Sequence, residues 1–312
     1  MTAFAFVFPG QGSQSVGMLD AWGDHPAVRQ TLAEASDALD QDLARLIHVG
    51  PKEALELTTN TQPVMLAAGI ACYRAWLAEG GPEPAAVAGH SLGEYSALVA
   101  AGALELADAL PLVRFRAQAM QQAVPVGAGA MAAILGLDAA TVHAVCAEVA
   151  AQTGEVVAPA NFNDPKQTVI SGSKAGVDMA CEKLKAQGAK RALLLAVSAP
   201  FHSLLMQPAA EALRERLAGV RLRVPRVPVV NNIDVAVQTE PEALRDALAR
   251  QACGPVRWVE VMQALRARGL NHIFECGPGK VLVGIARRID SEVVAGSVHD
   301  PASLAETIGL LA

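Results

Sequence analysis

The stretch Ala85-Ala86-Val87-Ala88-Gly89-His90-Ser91-Leu92-Gly93, running on into Glu94-Tyr95-Ser96-Ala97-Leu98-Val99-Ala100-Ala101, decides the fold class. Five small apolar residues with no alternation read as a fully buried strand, and the segment from Glu94 to Ala101 reads as a helix. Between them lies G-x-S-x-G, a motif that acquires chemical meaning when a strand precedes it and a helix follows. The reason is steric. A sharp strand-to-helix turn holds the central serine in a strained conformation, and the glycines on either side let neighbouring backbones approach closely. Ser91 then stands at the carboxyl edge of a sheet and at the start of a helix, where free N–H groups and the helix dipole favour negative charge. The N–H of Leu92 is placed as one oxyanion donor.

The same strand-into-glycine-turn pattern recurs at both ends of the chain. Phe4–Phe8 is a continuous apolar run that meets Pro9-Gly10-Gln11-Gly12-Ser13, and His272–Glu275 meets Cys276-Gly277-Pro278-Gly279 before a last helix. Helical periodicity occupies Ala27–Leu39, Gln62–Ala78 (with Pro63 suiting a first turn), 106–124, 204–217, 241–251 and 256–268, with a short strand near Val229. The texture changes in the middle. Strands at 131–135, 156–160, 167–171 and 192–195, with helices at 139–151 and 175–187, give the order β-α-β-β-α-β, which is the ferredoxin-like signature. The expected fold is therefore α/β, a hydrolase-like core with a parallel sheet plus an inserted ferredoxin-like small lobe. The boundaries fall at residues 1–125 and 198–312 for the discontinuous core and 126–197 for the insert.

Composition narrows the function classes. A chain of 312 residues fits one large α/β unit with an inserted lobe. Hydrophobic residues make up 52% but aromatics only 4%, so the core must be built from Ala, Val and Leu. Lys+Arg number 25 against 31 Asp+Glu, a net charge of −6 that gives no global attraction to nucleic acid or to an anionic membrane. Apolar runs are broken by Gly, Pro or charge before membrane-spanning length. The apolar start lacks a basic leader and reads as a strand rather than a signal peptide. Cys72, Cys146, Cys181, Cys253 and Cys276 are scattered, with no C-x-x-C pair and no histidine at zinc-ligand spacing. That pattern implies reduced thiols, a cytoplasmic location and no metal site.

A serine nucleophile needs a base, because its hydroxyl is almost wholly protonated at neutral pH. Of the seven histidines, His90 adjoins the serine but is expected to point to the other side of the strand end. His25, His48 and His143 lie in polar or helical contexts, and His272 and His299 lie near the C-terminus. His202 closes the turn Val197-Ser198-Ala199-Pro200-Phe201 that leaves the small lobe, and it follows the serine in the chain order of α/β-hydrolases. It is the best-placed base. No Asp or Glu presents itself as a third member, and on residues alone the reaction stays open between hydrolysis and transfer.

Taken together, these residues resemble the malonyl-CoA:acyl-carrier-protein transacylase family of fatty-acid synthesis. The matching motifs are Phe8-Pro9-Gly10-Gln11-Gly12-Ser13-Gln14, Asn60-Thr61-Gln62-Pro63, Gly89-His90-Ser91-Leu92-Gly93-Glu94-Tyr95, Arg116 with Met120, Ser198-Ala199-Pro200-Phe201-His202, Pro255-Val256-Arg257-Trp258 and Glu275-Cys276-Gly277-Pro278-Gly279-Lys280. The resemblance implies a ping-pong acyltransferase that takes malonyl-CoA and acyl carrier protein as partners and needs no cofactor. Ser91 would carry the acyl ester, and His202 would act as base and then acid. Gln251 would orient His202 through its backbone carbonyl, and the N–H groups of Gln11 and Leu92 would form the oxyanion hole. Arg116 would hold the malonyl carboxylate, bidentate guanidinium binding being the usual way to select such a group. Gln62 is kept as a substrate-side residue, although a glutamine near a helix start commonly lies at the surface. Phe201 is expected to pack beside His202. Lys166, Lys174, Lys190, Arg191, Arg287 and Arg288 could supply a local basic rim for an acidic carrier protein. The acyltransferase subunit of a polyketide or malonate-decarboxylase system is the nearest alternative, and a serine esterase a more distant one.

Overall fold

The computed structural model describes residues 2–311. Nine strands are seen: β1 (Phe4–Phe8), β2 (Ala86–Gly89), β3 (Gly129–Leu135), β4 (Val157–Asp164), β5 (Gln167–Ser173), β6 (Arg191–Leu194), β7 (Val229–Val230), β8 (His272–Cys276) and β9 (Val294–Val298). They form two sheets. The larger has the order β7-β2-β1-β8-β9 and is parallel throughout. The smaller has the order β4-β5-β3-β6 and is antiparallel. In it β3 and β4 run the same way with β5 between them, joined by the helix Ala139–Thr153. This is the split βαβ arrangement of a ferredoxin-like unit. The protein is thus α/β, a parallel sheet with an antiparallel companion.

Period 2 along β1 explains the layers around the main sheet. Phe4, Phe6 and Phe8 face one side, where they meet the long helix Thr58–Ala78. Phe6 and Trp76 pack edge to face with ring centroids 5.2 Å apart, and Tyr73 and Phe274 complete the cluster. Ala5 and Val7 face the other side and pack with Val256, Trp258, Val261 and Leu282. A chain poor in aromatics therefore concentrates them at one central seam, where each large ring buries the most apolar area.

Several local expectations are corrected. The strand β9 and the helix Pro301–Gly309 follow the helix Val281–Ile289, which is not the last element. Gly296 and Ser297 interrupt the apolar run in β9, so periodicity could not reveal it. The long helix begins at Thr58, leaving Pro63 inside it rather than in its first turn. The short helices Leu43–Val49 and Lys52–Glu56 had no sequence signal strong enough to mark them. The motif Glu275-Cys276-Gly277-Pro278-Gly279 has a structural reading: buried Glu275 accepts the N–H of Val283 (3.0 Å) and so caps the helix Val281–Ile289. Among the described residues, no helix is long and apolar enough to cross a membrane.

The parallel sheet positions the site. The turns after β1, β2 and β7 bring Gln11, Ser91 and Asn232 to its carboxyl edge, where open α/β sheets bind their ligands. The small sheet faces that edge. Its strand β4 is hydrogen-bonded to the main body, with the N–H of Phe162 donating to the Val256 carbonyl (2.9 Å) and that of Val256 to the Ala160 carbonyl (2.8 Å).

Candidate active site

The tightness of the turn after β2 is visible at its two glycines. A Cβ on Gly89 would overlap the backbone of Gly93, and one on Gly93 would overlap the carbonyl of Phe8. Ser91 sits between them with φ +52°, in the left-handed region that a non-glycine residue enters at a cost of about 1–3 kcal/mol. Three contacts hold it there. Its N–H donates to Asn232 Oδ1 (2.7 Å), its carbonyl accepts from Gln251 Nε2 (3.0 Å), and Asn232 Nδ2 donates to the Gly89 carbonyl (2.7 Å).

His202 is the second strained residue, with φ +59° and its side chain buried. Its Nε2 lies 2.6 Å from Ser91 Oγ. On the other side, Nδ1 lies 2.9 Å from the Gln251 carbonyl and 3.1 Å from that of Gly254. A carbonyl can only accept, so Nδ1 carries the proton and Nε2 presents its lone pair to the serine. Two backbone carbonyls thus occupy the place an acidic residue would take. The imidazole pKa is pushed down to about 3, chiefly by burial and then by the positive charge of Arg116. The ring is therefore neutral, and able to accept a proton, throughout the physiological range.

Arg116 and Arg114 lie two apart on the helix Leu106–Gln122, so they cannot share a face. Arg116 is the inward one, 2% exposed, whereas Arg114 is half-buried and bonds to Gln41. The Arg116 guanidinium donates to Gln62 Oε1 (2.9 Å), Gln251 Oε1 (3.0 Å) and Ser91 Oγ (3.2 Å), with the Tyr95 ring beneath it. Gln62 is accordingly buried, not a surface residue. Burial lowers the Arg116 pKa, and the charge nevertheless persists because guanidinium starts so far above neutrality.

These groups line one cleft of about 310 Å³ between the two sheets. Gln11, Gln62, Ser91, Leu92, Arg116 and His202 all face it, while Met131, Asn161, Leu195 and Val197 close it from the small-sheet side. The N–H groups of Gln11 and Leu92 donate to no protein acceptor among the described residues. Phe201 also lines the cleft beside His202. His90 differs from expectation. It lines the same cleft as Ser91, turned there by a hydrogen bond of Nε2 with Asn163 Oδ1 (2.9 Å) and by packing on Trp258.

Two neighbours of the site, Asn232 and Asn163, carried no signal in the sequence. Glu94 appeared there only as part of the motif Gly89–Tyr95, one helical turn after Ser91, with no role assigned to it. It is buried, and its Oε2 accepts from Asn232 N (2.9 Å) and Gln251 Nε2 (2.9 Å). No group of three or more His, Cys, Asp or Glu among the described residues is arranged to hold a metal ion. A hydroxyl on a neutral imidazole, with a buried guanidinium beside it, is equipped for acyl transfer to and from an acid-bearing substrate.

The acyl transferase domain family matches residues 5–309. The malonyl CoA-acyl carrier protein transacylase of Escherichia coli (strain K12) is 51% identical over 311 residues, covering 99% of this chain and 100% of that protein. This chain belongs to the malonyl CoA-acyl carrier protein transacylase family. Solved structures agree with the assignment. The acyl-carrier-protein S-malonyltransferase of Burkholderia pseudomallei superposes with a TM-score of 0.97 at 64% identity, covering 99% of this chain and 100% of that one. A malonyl-transacylase in complex with a type II PKS acyl-carrier protein superposes equally well, at 48% identity and with 99% and 100% coverage. The chain is thus an acyltransferase by family as well as by geometry.

Proposed function

We propose that this acyltransferase moves a malonyl group from malonyl-CoA to the phosphopantetheine thiol of an acyl carrier protein in fatty-acid synthesis, through a malonyl ester on Ser91. The observation that carries the reading is the placing of one guanidinium nitrogen of Arg116 3.2 Å from Ser91 Oγ. A carboxylate one methylene away from a thioester carbonyl can reach the cation while its carbonyl meets the hydroxyl. Relatives of about half identity bear the corresponding name.

In the first half-reaction, the Ser91 hydroxyl proton passes to His202 Nε2 as Oγ bonds to the thioester carbon. The N–H groups of Gln11 and Leu92 donate to the developing oxyanion. The C–S bond then breaks and CoA leaves as the thiol, taking the proton from His202. The second half-reaction runs in reverse with the carrier's thiol as nucleophile, and returns the proton to Ser91. Burial of the ester between the sheets excludes water. Gln62 and Gln251 hold the guanidinium, and the Gln251 carbonyl fixes the tautomer of His202.

The division into a core of 1–125 and 198–312 and a lobe of 126–197 belongs to this reading, supported by the confinement of β3–β6 to one sheet. A cytoplasmic setting is supported by cysteines that are all free, four of them buried. The carrier would dock through local basic residues. Lys174 and Arg288 are already paired, with Asp178 and Asp164, and Arg287 donates to the Ala295 carbonyl (2.7 Å), which leaves Lys166, Lys190 and Arg191 the better candidates.

The test is mass spectrometry after mixing with malonyl-CoA. A malonyl adduct should appear on Ser91 and vanish on addition of carrier protein carrying its phosphopantetheine arm. Transfer at the wild-type rate by Ser91→Ala would sink the mechanism. Comparing carrier proteins from fatty-acid and polyketide systems as acceptors separates the two pathways.

A further inference from the structure

Glu94 is a carboxylate in the heart of the site for which the acyl-transfer mechanism has no step. It is 2% exposed and opens the helix Gly93–Ala100, three residues beyond the nucleophile. Its Oε2 accepts two hydrogen bonds of 2.9 Å, one from the N–H of Asn232 and one from Gln251 Nε2. Each donor belongs to a residue that holds the reacting groups. Asn232 takes the N–H of Ser91, while Gln251 presents its carbonyl to His202 and its Oε1 to Arg116. The Gln251 side-chain amide is therefore strung between an acid and a guanidinium, its N–H toward Glu94 and its C=O toward Arg116.

We infer that Glu94 is the resident counter-ion of Arg116, acting through Gln251, and that it sets how strongly the site prefers an acyl group bearing a carboxylate. A buried guanidinium with no opposing charge is costly. The Glu94 charge offsets that cost while the cleft is empty. When an acyl carboxylate reaches Arg116, it meets a cation already partly compensated, and the grip is weaker than a bare guanidinium would give. Glu94 is thus a positioning residue that also tempers selectivity. This inference rests on the proposed malonyl transfer.

The protonation balance supports it. Burial pushes the Glu94 carboxyl up to about 7, while Gln251, Asn232 and Arg116 pull it down. The other charged or titratable groups that face it are Asp234, which also raises it, and Tyr95, its neighbour on the helix. Protonation as pH falls through 7 removes the counter-charge just as an amide replacement does, so the preference for malonyl must rise.

The experiment measures kcat/KM for malonyl-CoA and acetyl-CoA, with one carrier protein as acceptor, in the wild type and in Glu94→Gln. The amide keeps an oxygen for the two N–H donors and removes the charge, with an NH2 group in the place of Oε1. Taking the ratio of the two substrates cancels the ionisation of the acceptor thiol and of His202. The malonyl-over-acetyl ratio should rise on the order of tenfold in Glu94→Gln, the worth of removing one nearby charge at intermediate dielectric. In the wild type the ratio should climb as pH falls from 8.5 to 6 (roughly the span around the carboxyl's own titration), and in Glu94→Gln it should stay flat. Equal loss on both substrates would reduce Glu94 to a structural support and overturn the inference. Should Glu94→Gln fail to fold, a wild-type ratio independent of pH overturns it equally. A wild type that accepts both substrates alike would overturn the proposed function with it, and shows before any variant is made.

Discussion

At the residue scale the site sets one buried positive charge beside one neutral base. Arg116 lies close enough to His202 to lower its pKa, although burial is the larger cause. The sign is fixed by the charge type. A base held at about 3 stays unprotonated above that value, so the acid limb of kcat/KM lies far below the 6.5 of a free imidazole. Replacing Arg116 by Ala removes the second of the causes that lower the His202 pKa and leaves burial and His90 in place. We expect malonyl transfer to fall by about two orders of magnitude or more, the worth of a buried charge-assisted contact, with acetyl transfer spared. We also expect the acid limb for acetyl-CoA to move up toward, but not reach, the value of free imidazole. Steady-state rates on both substrates across pH check both claims. Equal losses on the two substrates would remove Arg116 from the selectivity.

At the element scale Ser91 is positioned by the strand–turn–helix unit β2 to Gly93–Ala100, and its glycines are steric requirements. A methyl group on Gly93 would meet the backbone carbonyl of Phe8 on the neighbouring strand, which cannot yield as a side chain can. Gly93→Ala should therefore destabilise the protein by about 3 kcal/mol and lower the yield of acylated enzyme, readable by denaturant unfolding and an active-site titration. This unit was legible in the sequence because each of its features is local: an apolar run, a spaced glycine pair, a helix. The ferredoxin-like order was legible for the same reason. Asn232 was not, because it arrives from 141 residues away and no local pattern marks it, and Gln251, 160 residues away, came only with the family resemblance. His90 shows the opposite failure. Its neighbour along the chain was obvious, but its direction is set by Asn163 on the small sheet and by Trp258. The strand β9 escaped because polar and glycine positions hide a strand whose pairing with β8 is wholly tertiary.

At the scale of the whole molecule, the cleft is bounded by two sheets that are not joined symmetrically. The strand β4 is bonded on both of its edges, to β5 within the small sheet and to the Val256 backbone of the main body. Asp164 at its end also pairs with Arg288 at 2.7 Å. At the opposite edge, β6 pairs only with β3 and leaves Leu193 and Leu194 exposed, and the chain continues from it into Leu195 and Val197 at the cleft wall. A substrate that reaches Ser91 through a long pantetheine arm must enter and leave between the sheets. The wall that can yield is the one carried by β6, because moving β4 would break backbone bonds to the core. Native-state hydrogen exchange tests this asymmetry. The amides of Phe162 and Val256 should exchange with the slow, globally protected set, and those of β6 should exchange faster through local opening. Malonylation of Ser91 should slow β6 and leave β4 unchanged, since only the yielding wall closes over the ester. If β4 and β6 exchanged at one common rate, the small sheet would move as a single body and the cleft would open by hinging of the whole lobe.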